Sequence, residues 1–115
     1  MTTSQEQKSW QVTPEKVNAA IQRIIEVGNP LKLILFGSYI ENKTNLNSDV
    51  DILVITHDTI ENPRKESVRI RKELHGISMP MDILVVPLKQ WKRFKDQPGF
   101  IFKEVQNKGK VVYET

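Results

Sequence analysis

Cysteine is missing altogether from these 115 residues. Its absence excludes disulfide staples and thiolate metal sites and fits a reducing compartment. Long apolar runs are missing as well. None approaches the ~20 residues that a membrane-spanning helix needs, and the stretch from Met1 to Gln11 is polar, without the apolar centre of a secretory leader. A soluble, cytoplasmic protein with no membrane association is therefore expected. No repeat, low-complexity block or linker breaks the chain, so it reads as a single domain over 1–115, with residues 1–12 loose. Aromatics are sparse, and the basic residues lack an aromatic stacking platform or a reading motif, which counts against nucleic-acid binding. Hydrophobic residues, at 38%, are enough for one small core with a sizeable wet or partner-covered surface. The 17 Lys and Arg against 14 Asp and Glu leave a net charge of +3, a mild excess that suits triphosphates or an acidic partner. The denser basic stretch, Arg64 to Lys72, reads best as a solvated helix face.

Local signals place the elements. Thr13-Pro14-Glu15 combines a hydroxyl cap, a proline at the first helical position and an acid in the first turn. Val17, Ala20, Ile21, Ile24 and Ile25 follow at helical spacing, and Gly28 is the expected C-terminal cap. Leu31 to Phe36, Asp49 to Ile55 and Met81 to Val86 are short branched apolar runs bounded by Gly, Pro or polar stretches, and are expected to be strands. A helix or turn is expected over Ser38–Asn45. Further helices are expected from Pro63 to His75, ended by Gly76, then over Leu88–Lys95 and over Phe100–Asn107, with a cap near Gly109; Lys110–Tyr113 suggests a last strand. Trp91, Phe94, Phe100 and Phe102 are assigned mostly to the core. This is an α/β (α+β) pattern.

The chemistry sits in Gly37-Ser38 and, after ten further residues, Asp49-Val50-Asp51. Side chains alternate along a strand, so Asp49 and Asp51 share a face and repel each other unless a cation lies between them. A hard divalent ion with oxygen ligands answers that need, and Mg²⁺ typically takes one or two carboxylates plus substrate phosphates. The plainer alternative leaves Asp49 at the end of a turn and Asp51 in solvent. Gly37 lets the backbone approach a ligand closely. If Ser38 opens a helix, its N–H and hydroxyl face a phosphate; otherwise it caps an ordinary turn. At average composition the combined pattern arises by chance in roughly one or two of every thousand chains this long. Asp82, an acid inside the apolar run Met81-Asp82-Ile83-Leu84-Val85-Val86, can complete a metal cluster if its strand neighbours Asp51. His57 reads as an exposed loop residue and His75 as a residue near a helix end.

The segment from Gly37-Ser38 through Asp49-Val50-Asp51 to Asp82 resembles the DNA polymerase β-like nucleotidyltransferase superfamily, and within it the minimal nucleotidyltransferases. LILFGS after an N-terminal helix and the closing Asn107-Lys108-Gly109-Lys110-Val111-Val112-Tyr113-Glu114 are similar to that group too. The resemblance implies a small mixed sheet with helices on one face and the acids along the other. It implies that Asp49, Asp51 and Asp82 bind two Mg²⁺ ions and act catalytically, and that Gly37 and Ser38 bind nucleotide phosphates. The implied activity is transfer of a nucleoside monophosphate, AMP from ATP, to an acceptor hydroxyl. The implied partner is a small helical HEPN-type protein, the toxin of a toxin–antitoxin pair, giving a hetero-oligomer; self-association stays open. Ile40-Glu41-Asn42 departs from the Ala-Arg-Gly run common in the group and puts an acid where a base is usual, which weakens the hold on triphosphate unless Lys43 compensates. The alternative is an antitoxin that occludes its partner without chemistry.

Overall fold

A computed structural model describes residues 11–41 and 49–115. The first helix, α1 (Pro14–Gly28), starts as its sequence demands: Thr13 Oγ1 accepts from the Lys16 N–H at 3.2 Å and Pro14 fills the first turn. It ends one residue later than expected. The left-handed position belongs to Asn29 (φ 44°), whose N–H bonds to Ile25 O, while Gly28 remains helical and lets Ile70 pack close by. Asparagine is among the few side chains that tolerate this region.

Strands β1 (Lys32–Phe36), β2 (Val50–Thr56), β3 (Met81–Pro87) and β4 (Lys110–Glu114) form one sheet in the order β3-β2-β1-β4. Antiparallel pairs join β1 to β2 and to β4, whereas β2 and β3 run parallel, so the sheet is mixed. The parallel pair is linked through α2 (Pro63–Glu73), which Asn62 caps by accepting from Lys65 N–H. This helix stops at Leu74 rather than at Gly76.

Alternation along the central strands divides the core. Val50, Ile52 and Val54 of β2, Leu33 and Leu35 of β1, and Ile83 and Val85 of β3 face α1 and α2, where Ala20, Ile24 and Ile70 are fully buried. The opposite parity, Ile34, Leu53, Ile55 and Val86, packs with Trp91, Phe102 and Val105. Those residues come from α3 (Leu88–Phe94) and α4 (Ile101–Lys108). Helices therefore cover both faces of the sheet, which corrects the expectation of helices on one face only. The short α3 and α4 pack because Trp91 and Phe102 together supply large apolar area, with ring centroids 5.9 Å apart. Phe94 is half-buried and Phe100 exposed, stacked on one another at 4.6 Å.

Two remote contacts complete the second layer. No side chain of its own caps α3, and Asp58, from the turn after β2, accepts from Lys89 N–H at 2.8 Å instead. Gly109 lies where α4 meets β1: a Cβ there would come within 2.5 Å of Val105 O and 2.6 Å of Ile34 Cγ2. The expected loose tail falls almost wholly outside the described residues, and Val12, at its end, rests on the larger core cluster.

Candidate active site

The strand register brings the acids together. Asp51 lies opposite Phe36, the last residue of β1, on one side and opposite Asp82 on the other. Both aspartates share the parity of Leu53, Leu84 and Val86, hence the face that α3 and α4 cover further along. They sit at the start of β2 and β3, at the other end of the strands from the point where α3 follows β3. Asp49 immediately precedes β2 and is exposed.

Gly37 is the hinge of the arrangement. Its φ is +84°, in the region that side chains disfavour, and a Cβ at this position would collide with the Asp51 carboxylate. The close approach expected of this glycine is therefore occupied first by Asp51. From Gly37 the chain turns at once: Ile40 and Glu41 N–H both bond to Gly37 O at 3.1 Å. Residues 38–41 form a hydrogen-bonded turn rather than an assigned helix. Ser38 is exposed at its start, beside the glycine that seats Asp51. Asn42 and Lys43, on which the departure from the family pattern also turned, lie outside the described residues.

Electrostatics mark Asp51 as the centre. Burial, then the negative charge of Asp82, then that of Asp49 hold its carboxyl above the usual carboxylate range. Asp82 is held by one cation: Arg71 Nη2 donates to Oδ1 at 3.2 Å, with side-chain exposures of 52% and 71%. Among the described residues, the acids are not drawn into a ready-made metal shell. The donor set nevertheless fits a hard divalent cation. It is all oxygen, and repulsion from Asp82 and Asp49 adds to burial in raising Asp51, a repulsion that a cation would relieve.

Sequence reasoning missed Arg71 and Ser67. Both belong to the basic stretch read as a solvated helix face, yet Ser67 Oγ donates to Ile83 O at 2.7 Å and Arg71 reaches Asp82. The spacing of four between them was the available signal, since it puts both on one side of α2. The histidines stay bland: His57 is exposed, and His75 Nδ1 lies 2.9 Å from Lys72 O at the end of α2.

The family described as polymerase beta, nucleotidyltransferase matches residues 18–115, and the chain belongs to it. The mixed sheet of four strands with four helices among the described residues matches the fold of that family. The fold is similar to that of a candidate nucleotidyltransferase from Sulfolobus solfataricus, at 14% identity and a TM-score of 0.60, over 87% of this chain and 78% of that one. It is similar to a chain of a toxin–antitoxin complex with AMP-PNP, at 21% identity and a TM-score of 0.53, over 90% and 75%. A chain of the MntA–HpeT toxin–antitoxin, in a variant with two Asp→Glu substitutions two residues apart, gives 21% identity and a TM-score of 0.58, over 85% and 73%. No curated protein matches the chain in sequence. Among the described residues, no helix is long and apolar enough to cross a membrane.

Proposed function

We propose that the protein transfers AMP from ATP to a hydroxyl of a partner protein, as the enzymatic antitoxin of a two-protein pair. One observation carries this reading: Gly37, by lacking a side chain, seats the Asp51 carboxylate against the turn that begins at Ser38, with Asp82 as its register partner. Phosphate-facing backbone and metal-binding acids then share one corner of the sheet. Family membership supports transfer of a nucleotidyl group. The similarity to chains of toxin–antitoxin complexes, one of them with AMP-PNP, supports the donor and the setting.

In this reading Asp49, Asp51 and Asp82 hold two Mg²⁺ ions, which when bound neutralise the triphosphate and the developing charge. Ser38 and the Gly37 turn bind the β- and γ-phosphates and orient the α-phosphorus for in-line attack. Asp82, the most open of the pair and on the edge strand, faces the acceptor. The acceptor oxygen bonds to the α-phosphorus, the bond to the bridging oxygen breaks, and pyrophosphate leaves. The hydroxyl proton passes to a carboxylate of the cluster and on to solvent. The acceptor is a tyrosine of a small helical HEPN-type protein, and ATP as donor places the reaction in the cytoplasm.

The test uses ATP labelled at the α or the γ position, with Mg²⁺, in lysate of the source organism. Label arriving on a protein from the α position alone, and lost in Asp49→Ala/Asp51→Ala, is expected. Absence of transfer while the acceptor is expressed and the double variant still neutralises it would replace the transferase by an occluding antitoxin.

A further inference from the structure

Beside the acids, α2 and the outer strand β3 enclose an open groove of ≈ 540 Å³, and Asp82 forms one wall of it. Arg64, Ser67, Val68, Arg71 and Leu84 contribute the rest of what matters. Charge on this helix is unbalanced in space. Glu66 is committed to Arg69 at 2.6 Å, Glu73 to Arg23 at 3.0 Å, and Asp82 to Arg71 at 3.2 Å. Arg64, Lys65 and Lys72 have no such partner among the described residues. Arg64 lines the groove itself, whereas Lys65 and Lys72 line a neighbouring hollow on α2 that shares Arg64 and Val68 with it. Exposed aliphatic side chains, Val68 at 49% and Leu84 at 37%, form the apolar part of the groove. An apolar centre with a charged rim is the anatomy of a protein interface. A nucleic-acid groove would instead pair its cations with aromatic surfaces for the bases, and among the described residues no aromatic side chain lines this one.

From this juxtaposition we infer that the α2–β3 groove, together with the adjoining basic face of α2, docks an acidic segment of the acceptor protein and so delivers its hydroxyl to Asp82. The inference rests on the transferase reading and adds to it where the acceptor sits and what charge it carries. Acidic side chains meet Arg64 in the groove and Lys65 and Lys72 in the neighbouring hollow of α2, an apolar one covers Val68 and Leu84, and the residue beyond them reaches the acids. Arg71 sits at the junction, on the groove wall and on Asp82 at once. The contacts are charge-steered, so their strength falls with salt.

The probe is a fluorescent glutamate–tyrosine copolymer, with a lysine–tyrosine copolymer and poly-uridylate as comparators, binding to the intact protein and to Arg64→Glu/Lys72→Glu. Both substituted residues are exposed and distant from the core, and a melting curve checks the fold. The expected result is at least tenfold weaker binding of the acidic copolymer to the variant, stronger binding at low salt, and unchanged affinity for Mg²⁺-ATP. Equal binding by parent and variant overturns the inference. So does preferential, competing binding of poly-uridylate, or self-association that the charge reversal abolishes, which would assign the groove to nucleic acid or to a second copy. Loss of Mg²⁺-ATP binding in the parent protein would instead sink the transferase reading, and the two failures are read separately.

Discussion

Replacing Gly37 by alanine should damage the protein mainly through Asp51, and the size of that coupling can be worked out. Two terms act on the single variant. An alanine held at φ +84° costs about 1–2 kcal/mol relative to glycine. Its Cβ also displaces the Asp51 carboxylate, an overpacking term of about 1–3 kcal/mol. The half-buried carboxylate can escape toward solvent, which puts the second term at the lower end. Removing the carboxylate first takes away the two nearest atoms and leaves the Asp51 Cβ at 3.4 Å, an ordinary contact. In an Asp51→Ala background Gly37→Ala should therefore cost the backbone term alone. Urea unfolding of the four proteins of this cycle at pH 7 should give a double variant at least about 1 kcal/mol more stable than the two single losses combined predict. Additivity within about 0.3–0.5 kcal/mol would refute the claim that the glycine exists to seat the acid.

Because the folded-state pKa of Asp51 lies above its ordinary 3.8, its ionisation costs stability, a loss that begins as pH rises past 3.8 and is complete once pH has passed the folded value. Asp51→Asn should be more stable than the parent at pH 7 by up to about 1 kcal/mol, after discounting for partial exposure, and the advantage should vanish in denaturation curves taken below pH 3.8. An advantage independent of pH would contradict this. Gly109→Ala, at an unstrained φ of −79°, should cost about 1–3 kcal/mol by overpacking against Ile34 and the Val105 carbonyl, read as a lower midpoint in urea. Asp58→Ala should cost about 1 kcal/mol by uncapping α3, with faster hydrogen exchange at Lys89.

What the sequence carried was local. Thr13-Pro14 announced α1 because cap and proline act within one turn, and the three apolar runs became strands because branched residues suit a pleat. Asn29 escaped notice because an adjacent glycine is the commoner cap, and only the packing of Ile70 on Gly28 explains the order. The second helical layer was illegible for a different reason. Two short helices gain their place from Trp91 and Phe102 meeting the far face of β2, a long-range fact. The same holds at the site: Asp51 and Asp82 are 31 positions apart, and only parallel register makes them neighbours. The spacing of Gly37 and Asp51 was readable, but that a missing Cβ accommodates the carboxylate depends on β1 and β2 being antiparallel partners. Arg71 was hidden by its charged surroundings, which read as a solvated face until β3 is laid beside α2.

The most direct measurement is binding of Mn²⁺-ATP, followed by paramagnetic broadening in nuclear magnetic resonance spectra of the parent and of Asp49→Asn/Asp51→Asn. The account predicts that signals of Gly37, Ser38, Asp51 and Asp82 disappear first in the parent, and that the variant, though folded, loses the effect. Broadening centred elsewhere, or equal in both proteins, would contradict the claim that these acids form the nucleotide and metal site.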